Sequence, residues 1–318
     1  MKAVIDVGYG LLTVVGVAVF RATGRTPGFA YTAMRRLTAH GRRGFLHSID
    51  RILSSPFVAT DDTRGIGQDE IEEAVASLER DGFYVFSQQL PDHLTEQLTE
   101  FAHTQPCKPI SDRSTAERPI VIDDAQQSSP RCDFSERDLV KNGAVRELLC
   151  DRSLREIAGK YLRARPLVDI VSMWWSFGVG GQADSAAAQM FHCDRDRLSF
   201  VKLFVYLSDV DEQSGPHVFG RRSHKRTLPA PLRRDTRYSD AEVQATLGDQ
   251  LVSIAGPKGM LFMADTSAVH KGAPVLRGRR LVFQIEWTGN LFGAPYEGHD
   301  VATLDPALRD VLALDLRT

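Results

Sequence analysis

The sequence predicts an α+β protein with a double-stranded β-helix, or jelly-roll, core and flanking helices. Apolar residues recur at helical spacing through the first half of the chain, whereas the second half consists of short β-rich runs bounded by Gly, Pro or Asp. Helices followed by strands argue for α+β and against alternating βαβ units, and an antiparallel jelly roll closes its sheet edges around a ligand-holding core. With 318 residues, 42% of them hydrophobic, the chain can bury one sizeable core and a smaller appendage.

The N-terminal stretch differs from the rest. Residues 7–20 carry no charge, but the run is short for a membrane span, and Asp6, Gly8, Gly10 and Gly16 weaken a spanning helix. Eight Lys/Arg against two acids give residues 1–54 a balance of +6, and the total of −2 leaves −8 for the remainder. The expectation is an apolar segment packed on the core and followed by a basic solvated helix; weak membrane contact through residues 3–20 is the alternative. Residues 29–53 read as helices broken near Gly41 and Gly44, and 60–67 as a polar linker. The chain therefore divides into an N-terminal extension, 1–67, and a main domain, 68–318.

Within the main domain, 69–80 has early acids and a late basic residue, as a surface helix does, and Asp81-Gly82 stops it. A short strand is expected at 83–86 and a helix at 93–103, opened by Pro91-Asp92. Residues 107–134 are polar and irregular around an apolar island at 119–122, and so long a loop is a candidate substrate lid. A helix is expected over 145–162, then strands over 167–177, 200–207, 259–263 and 281–287.

The formal charge of −2 gives no global pull toward nucleic acid or anionic lipid. Cys107, Cys132, Cys150 and Cys193 lack metal-binding CxxC spacing, so free thiols in a reducing, cytoplasmic setting are expected, although an even count permits a bridge. Oligomeric state is not legible.

The chemistry centres on Phe191-His192-Cys193-Asp194. Residues two apart on a strand share a face, so His192 and Asp194 project together while Cys193 points away and is expected to be buried and inert. A second imidazole from another strand, His270, would complete the two-histidine, one-carboxylate facial triad of non-haem Fe(II) oxygenases. Gln189 is a candidate ligand of a co-substrate or a plain loop residue. Lys202 either meets a carboxylate or, more commonly for such a lysine, snorkels to water. His217, His224, Asp196 and Asp265 are expected in structural roles. One of Trp174 and Trp175 should pack in the core while the other is free to line a pocket.

Further blocks follow: Asp211-Glu212-Gln213-Ser214-Gly215-Pro216, Gly220-Arg221-Arg222-Ser223-His224-Lys225, Gly256-Pro257-Lys258-Gly259 before an apolar strand, His270-Lys271-Gly272-Ala273-Pro274, and Arg279-Arg280. With His192-x-Asp194 and the early Asp81-Gly82-Phe83-Tyr84-Val85, they resemble the phytanoyl-CoA dioxygenase family of Fe(II)/2-oxoglutarate-dependent oxygenases over residues 68–290. Departures are Arg221-Arg222 where the family often has Pro-Gly, Met260 where it has Asp, and Val275 where it has Asn. The resemblance implies that His192, Asp194 and His270 bind Fe(II) and that 2-oxoglutarate and O2 are co-substrates. It also implies an arginine for the distal carboxylate of 2-oxoglutarate: Arg280 first, Arg279 as runner-up on the opposite strand face, and Arg277 third. Hydroxylation of a small lipid-like or secondary metabolite with release of succinate and CO2 is the implied reaction. Relatives that halogenate have Ala or Gly in place of the carboxylate, so Asp194 argues for hydroxylation. Two alternatives stand beside this: a non-catalytic jelly-roll binding protein, and a cupin-type metalloenzyme that does not use 2-oxoglutarate.

Overall fold

A computed structural model describes residues 2–58, 66–110, 118–122, 129–178, 183–224, 228–296, 298–299 and 304–312. Three helices come first: α1 (Lys2–Thr23), α2 (Gly28–Ala39) and α3 (Arg43–Leu53). Next are α4 (Gln68–Asp81), β1 (Phe83–Gln89), α5 (Asp92–Thr104), β2 (Cys107–Ile110), β3 (Arg131–Phe134), α6 (Glu136–Leu139), α7 (Gly143–Cys150) and α8 (Arg152–Leu162). The second half holds β4 (Leu167–Phe177), β5 (Phe200–Tyr206), β6 (His217–Gly220), α9 (Asp240–Leu247), β7 (Leu251–Ile254), β8 (Met260–Ala264), β9 (His270–Gly272) and β10 (Arg279–Thr288).

The strands form two antiparallel sheets, one of seven strands in the order β1-β8-β5-β10-β4-β3-β2 and one of three in the order β7-β6-β9. Strand alternation separates two cores. On β5, Val201, Leu203 and Val205 face the helices with Leu281, Phe283, Ile285 and Trp287 of β10, against Leu78 of α4 and Leu98 of α5. The even-numbered residues face the small sheet, where Phe204, Tyr206, Phe262 and Phe219 pack together. Lys202 and Glu286 lie on this inner face, directly opposite one another in the β5–β10 register.

Local chemistry explains where several elements end. Gly82 terminates α4 with φ 91°, and a Cβ there would lie 2.6 Å from His224 Nδ1, so both backbone and packing demand glycine. The helix expected over 145–162 is two, because Asp151 turns the chain and accepts a hydrogen bond from Leu154 N as the cap of α8. Helix α9 was not expected, although Ser239 and Glu242 form a capping box that the sequence displays.

The stretch 107–134 is corrected in part: its two ends are β2 and β3, which continue the large sheet beyond β4. Residues 111–117 and 123–128 lie outside the described residues, as does most of the linker at 60–67. Cys107 and Cys132 are joined as a disulfide across β2 and β3, correcting the free-thiol expectation for that pair; Cys150 and Cys193 are free.

The three N-terminal helices are bonded to the rest of the chain. Ala30, Met34, Leu37 and Leu46 form a cluster with Phe292. Asp50, buried, accepts hydrogen bonds from Ser199 Oγ and Asn290 Nδ2, each at 2.7 Å. Helix α1 packs by one stripe only, with Gly16 so close to Ala30 that a Cβ would stand 2.1 Å from the alanine methyl. Its other faces are exposed, which corrects the expectation of a segment packed away on the core.

Candidate metal centre

His192 and His270 lie on adjacent antiparallel segments and exchange both backbone hydrogen bonds, His192 N to His270 O at 2.9 Å and the reverse at 2.8 Å. A residue pair of this kind has its side chains side by side, and the imidazole centroids are 4.3 Å apart. His192 Nδ1 bonds Met190 O at 2.9 Å and His270 Nδ1 bonds Ala268 O at 3.0 Å. A carbonyl only accepts, so in the neutral rings each Nδ1 carries the proton and each Nε2 presents a lone pair. Asp194 is fixed by its own N–H on Thr266 O, and its carboxylate stands 3.4 Å from His192 Nε2 and 3.7 Å from His270 Nε2. One ligand atom from each of the three lies within 4.8 Å of the others, so this is a group that can hold a metal ion.

A buried charge network backs the triad. Lys202 Nζ donates to Asp194 Oδ2 at 2.8 Å and sits 3.1 Å from Glu286 Oε2. The alternative in which Lys202 meets a carboxylate is therefore the one observed, because β5 turns it onto the buried inner face opposite Glu286. One cation beside two carboxylates neutralises one of them. Burial raises the pKa of Asp194, but Lys202, His270 and His192 outweigh it and hold the carboxyl well below its usual range. Glu286 sits deeper, and burial pushes it up to about 8. His270 goes the other way: burial and the neighbouring His192 push it down to about 3, which leaves its imidazole neutral and ready to ligate.

Arg280 lies on the same inner face of β10. It is 2% exposed, its Nη2 donates to Ser176 Oγ at 3.2 Å, and its Nε and Nη1 have no hydrogen-bond partner among the described residues. Burial lowers its pKa to about 10. Gly272 covers it: a Cβ there would lie 3.0 Å from Nη2. Gly272 is two residues beyond His270 on β9, so the guanidinium lies about 7 Å along the strand from the imidazole's position. Arg279 points to the other face, its guanidinium 4.8 Å from the Trp175 ring. Register thus separates the two arginines, and Arg279 is not placed with the triad. Arg277 pairs with Asp211 on the exposed turn.

Gln189 is engaged in its own loop, where its Oε1 accepts from Asp184 N at 2.9 Å. Trp175 packs with the helical core and its indole N–H donates to Ala102 O, while Trp174 faces the small sheet beneath Arg131. His217 bonds Tyr206 Oη at 3.0 Å, and burial followed by the charge of Arg280 keeps it well below the usual histidine range. Cys193 is buried away from the triad, among Phe191, Tyr238 and Val269.

A cavity of about 320 Å³ opens on His192 and Asp194 and is otherwise lined by Arg35, Arg195, Asp196, Asp235 and Arg237, with Cys193 and Thr236. Arg35 belongs to α2. It grips Asp235 with Nε and Nη2 at 2.9 and 2.7 Å, and Arg195 meets the same carboxylate at 3.0 Å. Tyr31 Oη donates to Asp196 at 2.8 Å. The reading from sequence missed Glu286, Ser176, Gly272, Tyr31 and Arg35 as parts of the site. A signal existed for Glu286: Lys202 is the one charge of β5, and Glu286 is the one acid of β10, in the apolar part that follows Arg279-Arg280, a pattern that suggests a buried pair.

Solved structures share the arrangement of elements. The non-heme alpha ketoglutarate dependent epimerase SnoN from nogalamycin biosynthesis is 15% identical, with 70% of this chain and 84% of that one covered and a TM-score of 0.52. SnoN in complex with Fe3+, alpha ketoglutarate and nogalamycin RO gives 16% identity, 78% and 97% coverage and a TM-score of 0.50. HygX from Streptomyces hygroscopicus, solved with nickel and 2-oxoglutarate bound, gives 15% identity, 79% and 97% coverage and a TM-score of 0.51. No protein-family model and no curated protein matches the sequence. The likeness is therefore one of fold, shared with 2-oxoglutarate-dependent enzymes of known structure.

Proposed function

We propose that the chain is an Fe(II)- and 2-oxoglutarate-dependent oxygenase with a double-stranded β-helix core, similar to the phytanoyl-CoA dioxygenase family, that hydroxylates a small organic substrate. The donor set supports this: two imidazoles with Nε2 forward and one carboxylate suit Fe(II) and leave coordination positions open. His192, Asp194 and His270 would hold the metal. The observation that carries the reading is Arg280, a buried guanidinium with two unpartnered nitrogens on the triad's side of the sheet. Such a charge is costly without a counter-anion, and a dicarboxylate that reaches it from the metal supplies one.

When bound, Fe(II) and 2-oxoglutarate supply O2-dependent oxidation with release of succinate and CO2. The protein's own contribution is positional. The carbonyls of Met190 and Ala268 aim the two Nε2 lone pairs, Lys202 restrains one oxygen of Asp194, and Arg280 with Ser176 orients the far carboxylate. The retained Asp194 favours hydroxylation over halogenation, and the charged cavity lining favours a substrate with polar groups over a bare hydrocarbon. A metalloenzyme without 2-oxoglutarate would leave Arg280 unexplained.

Anaerobic addition of Fe(II) and 2-oxoglutarate tests the reading by visible absorption. A weak charge-transfer band is expected in the intact chain and is expected to vanish in Arg280→Ala. Absence of the band in the intact chain at saturating ligand would refute chelation. Succinate release in a screen of candidate substrates then identifies the molecule oxidised.

A further inference from the structure

The apolar surface of α1 has no place in the chemistry above. Ile5, Val7, Leu11, Leu12, Val14, Val15 and Val19 are all exposed, Val7 at 74% and Leu11 at 65%. Among the described residues, Ile5–Thr23 is the one helix long and apolar enough by length and composition to cross a membrane. Its own polar groups are spent elsewhere: Asp6 is held by His40 and Arg42, each at 2.7 Å, and Thr13 bonds back to Tyr9 O. What remains outward is a face of aliphatic side chains with no charged residue between Asp6 and Arg21. Soluble surfaces seldom leave so long a contiguous apolar patch bare.

Arginines bracket this face. Arg42 stands at its N-terminal end through Asp6, and Arg21, whose Nη2 donates to Ile52 O, stands at the other with the exposed Arg25 and Arg51. We propose that the exposed face of α1 docks on an anionic phospholipid surface, its aliphatic side chains in the acyl boundary and the bracketing arginines among the headgroups. The charge selects this occupant. Residues 1–54 carry +6, or +5 once the Arg35–Asp235 ion pair is set aside, which repels a second copy of the same unit and attracts an anionic surface. The packed stripe of α1 argues for lying on the bilayer and not crossing it, because Gly16 is pressed against Ala30 and α2 is in turn bonded to Asp235 and Asp196. The same bonds join the docked unit to the lining of the metal-site cavity.

Flotation of the full chain with phosphatidylcholine vesicles, with and without phosphatidylglycerol, tests this. Binding that requires phosphatidylglycerol, is reversed by high salt, and falls by at least about tenfold in Leu11→Asp/Val15→Asp supports the proposal. Both positions are exposed, and an unchanged thermal melt of the double variant shows that the fold survives. Three outcomes with membranes overturn it: no binding to either vesicle; equal binding to both; or retention in cell membranes through high salt and alkali, which means that α1 spans. Sedimentation that shows a dimer dissociated by the same substitutions, without vesicle binding, makes a second copy the occupant and also overturns it.

Discussion

At the scale of single residues, the site is a problem of placing charge where water does not reach. Lys202 lies between Asp194 and Glu286 and can satisfy only one of them fully. Lys202→Met removes the group that restrains Asp194, and outer-shell losses of this kind weaken metal binding by about 10–100-fold. Calorimetric titration with Fe(II) or a spectroscopically convenient divalent metal checks it, and unchanged affinity would contradict the positioning role. Glu286 yields a pH prediction for the metal-free chain. Its pKa is raised from 4.5 to about 8 in the folded protein, so the unfolded chain releases this proton first. Stability from this group is therefore complete below pH 4.5, declines as the pH rises toward 8, and levels off above it. His270, lowered from 6.5 to about 3, acts below pH 6.5, so of these two groups Glu286 alone titrates between 6.5 and 8. Urea midpoints of the parent measured against Glu286→Gln should diverge across that window by at most about 1.4 kcal/mol per pH unit.

At the scale of elements, β9 links the two halves of the proposed co-substrate site. His270 and Gly272 point inward together, while Lys271 between them turns out to Asp240. Gly272→Ala places a methyl 3.0 Å from Arg280 Nη2 while leaving the His192–His270 pair intact. The expected result is weaker 2-oxoglutarate binding with metal affinity unchanged, read from separate titrations of the two. This division was only half legible in the sequence. Arg279-Arg280 was visible as a pair of cations opening an apolar strand, but which one faces inward depends on register with β4, and the pairing of Arg280 with Ser176 decides it. Gln189 illustrates the opposite limit. Its proximity to His192 in sequence suggested a ligand, yet the loop closes on itself through Asp184.

At the scale of the molecule, the N-terminal helices are joined to the rest of the chain by buried and half-buried polar bonds. Deleting residues 1–54 takes Asp50 from Ser199 and Asn290, and Arg35 from Asp235, besides uncovering Phe292. Each buried group left unpaired costs about 1–3 kcal/mol, so the truncated chain is expected to be insoluble or strongly destabilised. Asp50→Ala alone should lower the urea midpoint by the equivalent of roughly 1–3 kcal/mol. A soluble truncation with parental metal affinity would show that these bonds are dispensable.

What the sequence determined by itself was the short-range chemistry. The two-residue spacing of His192 and Asp194 is a strand property, the Gly82 stop is a backbone property, and the α4 and β5 patterns follow from local periodicity. Partners distant in sequence could not be read that way. Lys202 finds Glu286 across 84 residues because β5 and β10 pair, and Arg35 reaches Asp235 across 200 because α2 lies over the cavity. An apolar run alone does not say whether it is covered, since hydrophobicity records the tendency to leave water and not the availability of a partner. Only the tertiary structure decided that α1 buries one stripe and leaves the rest of its aliphatic surface bare.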